Sequence, residues 1–576
     1  MNRRMFTLTT AVLLAGALLN CGAEDGKTDS ALPPITREKI DKLFAQWNLP
    51  TSPGCAVAVL IEGKPVYENY FGCANLENQI PISAQTVFNA CSAAKEFTAL
   101  AIQILVSSGK CQLDDPVMKY VPEIAHIGRP ITIRQLLNHT SGIRDAHELA
   151  CALGARDEDI LNRADVLRLL QNQRTLNFEP GAQFLYSNSN YVLLALALER
   201  ISGEAFGTFI RNRIFLPLGM EHSRIANDHS LVISHRAEPY KARGEHFQRC
   251  YVNDGFSGDG GLFTTLSDME RWDRQFDGQP IGGAETLARQ IEPGTLNDGT
   301  RSHYASGLEV SDYRGWRTIG HNGGGGGYRA TFLRFPQKRS TVILLANVSE
   351  IKTDLMARKI ADLLLEGEAP PNENGMSSVS RKAIQISPVL YDKYAGEFDF
   401  DGRFSRRFQR EEDQLVMILP DGKRVTAWPS SETRFFFKEL PGEIEFPKVS
   451  GPFAKRNRGY LGDQVLIGRR VEAITLNAMT ASEYAGDYYN DELRVVYRII
   501  YRSGALVLEY LKGEIPFVSI NADAFRRDTA HSPPDYGESL VADTLDFERI
   551  AAGEPTGFYL NNERMLSLKF AKVYLK

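Results

Sequence analysis

The 576-residue sequence lacks a surplus of either charge, a hydrophobic run long enough to span a membrane, and a cysteine pair in metal-binding spacing. Lysine and arginine number 66, aspartate and glutamate number 71, and the two signs are interspersed along the chain. Such a chain offers no basic stripe for nucleic acid and no acidic tail for a macromolecular partner. The composition therefore favours a small-molecule or short-peptide substrate.

Cysteine is scarce and is poorly placed for metal binding. Beyond Cys21, six cysteines lie in the first half of the chain, and none has Cys-x-x-Cys spacing. No metal and no cofactor is predicted. The six thiols either pair as disulfides after export or remain as buried thiols, and the sequence leaves both possibilities open.

The first 21 residues have the layout of a bacterial export signal. Arg3 and Arg4 precede an apolar stretch at residues 11–19, and Cys21 follows Leu-Leu-Asn. This end resembles a lipobox, although an asparagine stands where a small residue is usual. Because of this resemblance, we expect Cys21 to be lipidated. The protein would then be exported to the periplasm and anchored in the cell envelope. The arginine pair also resembles a twin-arginine signal. Residues 22–35 are predicted to form a tether.

Three short strings occur in order along the chain: Ser92-Ala-Ala-Lys95, Tyr186-Ser-Asn188 and His321-Asn-Gly323. Residues 97–106 are apolar on nearly every face, which predicts a buried helix with Ser92 in its first turn. Residues three apart share a helix face, so Lys95 would stand beside the Ser92 hydroxyl. An otherwise weak alcohol nucleophile requires such a partner.

The chain divides into a mixed first part and an all-β second part. Residues 36–368 have strand-like runs near both ends and a helical middle, which predicts a sheet built from both ends and covered by helices. Residues 369–384 combine Pro, Gly, Asn and Ser without periodicity and are predicted to form a linker.

Beyond the linker, short β-rich runs are separated by glycine-containing turns. The string Tyr394-Ala-Gly-Glu-Phe398 recurs as Tyr484-Ala-Gly-Asp-Tyr488. We therefore predict two tandem β domains, at 385–475 and 478–576, each a small closed barrel. A solid packed core is preferred over a ligand cavity inside either barrel.

With these strings in view, residues 36–365 resemble the serine β-lactamase and penicillin-binding-protein family, in its class C-like branch. Further strings that carry the resemblance are Leu137-Asn-His-Thr-Ser-Gly142, Glu179-Pro-Gly-Ala-Gln-Phe-Leu-Tyr-Ser-Asn188 and Gly260-Gly-Leu-Phe-Thr-Thr-Leu-Ser-Asp268. The resemblance implies an α/β (α+β) catalytic domain, with an antiparallel sheet flanked by helices. Two lipocalin-like barrels after it resemble the arrangement of the family's D-aminopeptidases. Within these strings, His139 is interpreted as a structural loop residue and Asp268 as a helix N-cap.

The resemblance also implies roles for individual residues. Ser92 is the nucleophile that forms the acyl-enzyme, and Lys95 helps to deprotonate it. Tyr186 shuttles a proton towards the leaving group, a role that favours a tyrosine pKa depressed by neighbouring positive charge. Asn188 orients the substrate and Lys95.

A strand lining the cleft is expected to carry His321 and Gly323, and the Gly324 amide would join the Ser92 amide in an oxyanion hole. β-Lactamases carry Lys-Thr-Gly at this place, whereas the His form is common among the family's peptidases and esterases. A histidine with a pKa of about 6.5 is only partly charged at neutral pH. This departure disfavours β-lactam hydrolysis, and we expect weaker or pH-dependent recognition of a substrate carboxylate.

These inferences predict an exported serine hydrolase that acts through Ser92 on small peptide or ester substrates. Peptides of D-amino acids are among them, as for a D-aminopeptidase or a D-Ala carboxypeptidase. A carboxylesterase or a β-lactamase using the same serine is an alternative, because fold and domain order do not fix the substrate. A further alternative is a protein that binds penicillin or peptidoglycan fragments without turnover.

Overall fold

The structure is a computed structural model that describes residues 32–574, except 157–158, 253, 370–382, 401–403, 420–421, 438–441, 450, 462–463, 473, 475, 529–541, 551–552 and 563. The predicted export signal with Cys21, and most of the predicted tether and linker, lie outside these residues. Within the part that is described, no helix is both long and apolar enough to cross a bilayer.

The first part of the chain is a sheet covered by helices. Its strands are β1 (Cys55–Ile61), β2 (Lys64–Phe71), β3 (Cys73–Asn75), β4 (Ile80–Pro81), β5 (Phe88–Asn89), β6 (Leu161–Asn162), β7 (Arg224–Ile225), β8 (Tyr240–Arg243), β9 (His246–Arg249), β10 (Asp254–Gly255), β11 (Leu262–Thr264), β12 (Glu309–Tyr313), β13 (Trp316–Gly325), β14 (Tyr328–Phe335) and β15 (Ser340–Ala346). The main sheet has the order β12-β13-β14-β15-β1-β2, and all its neighbouring strands are antiparallel. Strands from both ends of the region meet where β1 pairs with β15, which confirms the predicted sheet.

Helices cover both faces of this sheet. They are α1 (Pro34–Phe44), α2 (Ala94–Ser107), α3 (Ile133–Leu137), α4 (Ala146–Ala152), α5 (Arg163–Asn172), α6 (Asn188–Ser202), α7 (Phe206–Ile210), α8 (Leu216–Leu218), α9 (Leu266–Asp277), α10 (Gly283–Gln290) and α11 (Thr353–Leu364). Because strand residues alternate between faces, Ala56 and Ala58 of β1 pack on the side of α2, whereas Val57 and Val59 pack on the side of α1 and α11. The apolar sequence of α2 follows from its burial on nearly all sides.

Two closed barrels form the second part of the chain. The first consists of α12 (Pro388–Tyr394) and the strands β16 (Gly396–Phe400), β17 (Phe404–Glu411), β18 (Gln414–Ile418), β19 (Arg424–Pro429), β20 (Arg434–Phe437), β21 (Glu443–Glu445), β22 (Arg456–Leu461) and β23 (Gln464–Arg470). The second consists of α13 (Ala478–Ser482) and the strands β24 (Gly486–Asn490), β25 (Val495–Arg502), β26 (Ala505–Tyr510), β27 (Gly513–Ser519), β28 (Ala524–Arg527), β29 (Thr544–Arg549), β30 (Pro555–Asn561) and β31 (Leu568–Val573). In each barrel the last strand pairs with the first, and this closure removes free sheet edges. The prediction of two all-β barrels is confirmed.

Aromatic side chains fill both barrels. In the first barrel, the rings of Phe398, Phe408 and Phe435 surround Phe446, with centroids 5.6–5.9 Å from it. The second barrel has a comparable cluster, formed by Tyr484, Tyr488, Phe525, Phe547 and Phe558. Both interiors are packed cores, in agreement with the preference stated from the sequence.

The second barrel packs against the first part of the chain, residues 36–368, and the apolar cores of the two are continuous. Arg144, which is 1% exposed, joins them. Its guanidinium forms an ion pair with Glu492 at 3.2 Å and donates to the backbone oxygens of Leu566 and Ser567, both at 3.3 Å. These contacts hold the loop between β30 and β31 against the catalytic region.

Replacing Arg144 with alanine is expected to lower the free energy of unfolding by about 3 kcal/mol, because the partner carboxylate of Glu492 stays largely buried without its cation. Arg174→Ala is the matched control, since it removes an exposed ion pair to Asp491 in the same interface and should cost less than about 1 kcal/mol. Chemical and thermal unfolding midpoints measure both effects. Equal destabilisation by the two variants would contradict this account of the interface.

Candidate active site

Ser92 lies in a tight turn, Cys91–Ala93, which has 3-10 geometry and leads directly into α2. It therefore precedes the regular helix in which it was expected. Cys91 has a φ of 49°, which is a sparsely populated conformation for a residue with a side chain. The backbone N–H of Cys91 donates to the side-chain oxygen of Asn89 at 2.8 Å, and this bond fixes the turn. The half-buried Ser92 is thereby presented to a large cavity.

Lys95 is fully buried beside Ser92, as the spacing predicts. Its Nζ donates to Ser92 Oγ at 3.1 Å, to Asn188 Oδ1 at 2.9 Å and to the backbone oxygen of Asp259 at 2.6 Å. Burial lowers the pKa of Lys95 from 10.5 to about 8, against the opposing charge of Asp259. An amine with that pKa loses its proton readily enough to accept the proton of Ser92.

Asn188 is the first residue of α6, and its position is fixed from a neighbouring segment. Its backbone N–H donates to the carboxylate of Asp145 at 2.6 Å. The flanking Ser187 makes no side-chain cap of its own. Asp145 therefore satisfies an N-terminal amide of α6 in its place, and the side chain of Asn188 is left to hold Lys95.

Tyr186 stands on the other side of Lys95, whose Nζ is 4.9 Å from the centroid of the phenol ring. Among the described residues, its buried hydroxyl makes no hydrogen bond within 3.5 Å. Burial raises the pKa of Tyr186 above its ordinary value, although Ser92 and the charge of Arg564 act against the rise. The expected depression of this pKa is wrong, because the loss of solvent outweighs the neighbouring cations. Tyr186 is a neutral phenol here.

Strand β13 passes very close to the turn that carries Ser92. A Cβ atom on Gly323 would lie 2.2 Å from the backbone oxygen of Ala90, so only glycine allows this approach. At Gly324 an added Cβ would meet nothing nearer than 3.4 Å. Gly324 lines the same cavity as Ser92, and the use of its amide in an oxyanion hole stays a prediction.

His321 is buried on β13 and held at both ring nitrogens. Nδ1 lies 2.5 Å from the backbone oxygen of Asn322, and Nε2 lies 2.8 Å from the hydroxyl of Tyr304. The carbonyl partner requires a proton on Nδ1, and the Tyr304 hydroxyl can donate to Nε2 of the neutral ring. Burial, followed by the charge of Lys95, lowers the pKa of His321 to about 3. The expectation of a partly charged histidine at neutral pH is therefore wrong, and His321 supplies no cation.

His139 and Asp268 are structural, but Asp268 is not the helix cap. The buried His139 ring lies 4.3 Å from the ring of Tyr186, and its Nδ1 accepts from the backbone N–H of Ser187 at 3.2 Å. It therefore helps to position Tyr186. Thr265 caps α9, whereas Asp268 lies inside the first turn.

Two residues beside the site escaped the sequence analysis. The side chain of Asp259 has a carboxylate oxygen 3.5 Å from Nε2 of His147, and both residues line the cavity. Burial acts to raise the pKa of Asp259, but the hydrogen bond from His147 and the charge of Lys95 hold it below its ordinary value. The cavity therefore contains an ionised carboxylate near Ser92. Asp259 directly precedes a family string, yet nothing in its spacing indicates a site.

Arg564 is a third residue that the sequence did not indicate. It belongs to the loop between β30 and β31 of the second barrel, and its guanidinium carbon is 5.1 Å from the centroid of the Tyr186 ring. Burial has the largest effect on the pKa of Lys95 and of Tyr186, and the charge of Arg564 lowers both. A barrel thus contributes to the surroundings of the nucleophile.

The cavity in front of Ser92 has a volume of about 2140 Å³ and is bounded by all three folded units. The first barrel contributes Asp399 and Arg458, and the second contributes Asp546 and Arg564. In the described part of the chain, no group of three or more His, Cys, Asp or Glu side chains could hold a metal ion. The arrangement suits nucleophilic acyl transfer.

A family model described as Beta-lactamase matches residues 43–365 of this chain. The match covers more than half of the sequence, so the protein belongs to the beta-lactamase family. It is a serine hydrolase of the β-lactamase and penicillin-binding-protein superfamily, as the motif resemblance implied.

Individual relatives match beyond the catalytic region. A penicillin-binding protein of Bacillus subtilis is 31% identical over 401 residues, which cover 67% of this chain and 88% of that protein. A D-aminopeptidase of Brucella anthropi is 30% identical over 521 residues, which cover 88% of this chain and 92% of that protein. The solved octameric penicillin-binding-protein homologue from Pyrococcus abyssi covers 75% of this chain and 99% of its own, with a TM-score of 0.52 and 22% identity. This last match is a likeness of fold.

The buried amine predicts a rise of activity with pH. Lys95 must be neutral to take the proton of Ser92, so kcat/KM should increase with pH and level off above the Lys95 pKa of about 8. Between pH 7 and the plateau we expect a roughly tenfold gain. Initial rates on an uncharged ester measure the profile. Asp259→Asn should move the midpoint to lower pH, because the Asp259 charge raises the Lys95 pKa. A flat profile from pH 6 to 9 would contradict the role given to Lys95.

Proposed function

We propose that the protein hydrolyses short peptides that begin with a D-amino acid, through an acyl-enzyme on Ser92. The observation that carries the proposal is the 3.1 Å hydrogen bond between Lys95 Nζ and Ser92 Oγ, made by an amine whose pKa burial lowers to about 8. Similarity to a D-aminopeptidase over most of both chains supports the substrate class.

Acylation begins when neutral Lys95 accepts the Ser92 proton and Ser92 Oγ attacks the carbonyl carbon of the substrate. The backbone amides of Ser92 and Gly324 would donate hydrogen bonds to the resulting oxyanion. The C–N bond then breaks as the leaving nitrogen takes a proton, which passes from Lys95 by way of the Tyr186 phenol. The raised pKa of Tyr186 supports this use of the residue as a neutral relay rather than as an anionic base.

Deacylation reverses these transfers with water in place of the amine. Water attacks the ester carbon, Lys95 takes one of its protons, and the C–O bond to Ser92 breaks. Ser92 recovers its proton, and the free D-amino acid leaves. Three hydrogen bonds to oxygen keep Lys95 in reach of Ser92 in both half-reactions.

The proposed preference for a free amino terminus is supported by Asp259. Its backbone oxygen contacts Lys95 Nζ at 2.6 Å, and Asp259 lines the same cavity as Ser92. That carboxylate is ionised and 8% exposed. A substrate ammonium placed there would gain a charge-assisted hydrogen bond in a site of reduced dielectric.

The neutral state of His321 distinguishes this site from that of the β-lactamases. β-Lactam recognition in the resembled family uses a lysine on this strand, whereas the pKa of about 3 leaves His321 uncharged. A neutral His321 does not distinguish amides from esters, because both are attacked at an acyl carbon by the same serine.

We expect D-alanyl p-nitroanilide to be hydrolysed faster than its L-form and faster than N-acetyl-D-alanyl p-nitroanilide. Asp259→Asn should lower the ratio of kcat/KM for the free-amino substrate to kcat/KM for the acetylated one about tenfold, since the backbone contact to Lys95 is retained and the change in the Lys95 pKa affects both substrates alike. Asp228→Asn, on the exposed surface, is the matched control. Release of p-nitroaniline at about pH 7, where the α-amino group of the substrate is mainly protonated, is the measurement.

Ser92→Ala should reduce turnover of every substrate by at least about 10³-fold. Full activity in this variant would overturn the acyl-enzyme. Turnover of p-nitrophenyl esters without any peptide cleavage would indicate a carboxylesterase instead. A stable adduct that is never released would indicate a binding protein.

Export and a lipid anchor on Cys21 are also part of the proposal, supported by the N-terminal pattern alone. Incorporation of labelled palmitate into the wild type, and its loss in Cys21→Ser but not in Cys151→Ser, would support the anchor. Equal labelling of the wild type and Cys21→Ser, or no labelling at all, would refute it.

A further inference from the structure

His321 on β13 does not provide a positive charge for a substrate carboxylate. His321 is neutral, with its Nε2 2.8 Å from the hydroxyl of Tyr304. Lys95 directs its three N–H groups at three protein oxygens. A peptide with a free carboxylate near the scissile bond would therefore have to find its counter-charge on another element.

Arg329 is close along the sheet but faces the wrong way. It pairs with Gly324 on β13, whereas His321 pairs with Phe332. Side chains alternate between the two faces of a strand, so Arg329 projects from the face opposite to His321. Arg329 does line the wide cavity, but its guanidinium donates to the backbone oxygen of Tyr328 at 2.7 Å and its side chain starts from the face opposite to His321.

Arg564 also lines the cavity in front of Ser92, but it lies beside Tyr186. Its guanidinium carbon lies 5.1 Å from the ring centroid of Tyr186, the residue assigned to the leaving nitrogen. The carboxylate of an amino acid is only two bonds from its nitrogen, so the departing residue can reach from Tyr186 to Arg564. A guanidinium has five N–H donors in a planar fork, which binds a carboxylate at two points while keeping other contacts.

Hydrogen bonds from Asn177 and Arg144 hold the loop that carries Arg564 in place. Asn177 Nδ2 donates to the backbone oxygen of Arg564 at 3.3 Å, and Asn177 Oδ1 accepts from the N–H of Leu566 at 2.8 Å. Arg144 donates to the next carbonyls of the same loop. The cation is thus positioned by the catalytic region itself, as a preorganised binding group requires.

We propose that Arg564 of the second barrel binds the carboxylate of the leaving group, so that the substrates are short D-peptides with a free C-terminal carboxylate on the residue after the scissile bond. The cleavage step is the one proposed above, on which this inference rests. With Asp259 near the amino terminus and Arg564 near the carboxylate, the cavity matches both ends of a zwitterionic dipeptide. Arg564 is a specificity residue and takes no part in proton transfer.

The test compares D-alanyl-D-alanine with D-alanyl-D-alaninamide, which differ only in the charge at the C-terminus. Wild type should prefer the free acid by about tenfold or more in kcat/KM. Arg564→Ala should lower kcat/KM for the acid by about 10-fold to 100-fold, mainly through KM, and leave the amide within about twofold. Arg564→Lys should restore part of the preference, because it returns the charge without the fork.

Controls separate binding from folding and from the state of Lys95. Arg498→Ala removes a cation of the same barrel that pairs with Asp487 outside the cavity, and it should leave the acid-to-amide ratio unchanged. Rates are taken about one pH unit above the Lys95 midpoint of each variant, since the Arg564 charge lowers that pKa. An equal loss on both dipeptides, or no loss on either, would overturn the proposal and leave Arg564 as a packing partner of Tyr186.

A second substrate pair keeps this inference distinct from the proposed function. If esters turn over but no peptide is cleaved, the peptidase proposal fails. The role of Arg564 is then tested with two acetate esters, m-acetoxybenzoic acid and m-acetoxybenzamide. Their leaving groups differ in that one carries a carboxylate and the other a neutral amide. A preference for the carboxylate ester that disappears in Arg564→Ala supports the inference, whereas the same ratio in both proteins refutes it.

Discussion

The burial of the Lys95 amine is the constraint on which the rest of the site depends. Moving an ammonium group out of water costs on the order of several kcal/mol unless protein oxygens replace the solvent. Three oxygens do so, from Ser92, Asn188 and Asp259, and each comes from a different segment of the chain. The remaining penalty lowers the pKa to about 8, which makes the amine a usable base. The same charge contributes to keeping His321 neutral. Burial, with a smaller contribution from this cation at His321, thereby sets the charge states around the nucleophile.

The second barrel is part of this arrangement rather than an appended module. Arg144, which binds the barrel loop, is followed directly by Asp145, which holds the first amide of α6 at Asn188. Asn188 in turn holds Lys95. Docking of the barrel and placement of the catalytic amine therefore share one short stretch of backbone. The loop that is docked in this way carries Arg564 to the ring of Tyr186, so that a residue near the end of the chain faces a nucleophile near its beginning.

Local periodicity explains what could be predicted from the sequence. The spacing of Ser92 and Lys95 on a helical segment, the sheet built from both ends of the region and the repeated barrels all follow from patterns within short windows. Charge states could not be predicted in this way, because burial decides them: the pKa of Tyr186 is raised rather than depressed. Asp259 and Arg564 could not be identified either, since tertiary packing alone brings them to the cavity. At α9 the nearby threonine, Thr265, caps the helix in place of the expected aspartate.

The central claim is that Ser92, activated by a buried amine, becomes acylated. Intact-protein mass spectrometry after reaction with a fluorophosphonate, followed by peptide mapping, tests it most directly. The account predicts a single adduct on the wild type, located on Ser92, with a labelling rate that rises with pH through the Lys95 pKa of about 8. It also predicts no adduct on Ser92→Ala. An adduct of equal yield on Ser92→Ala, or one that maps to another residue of the wild type, would contradict the account.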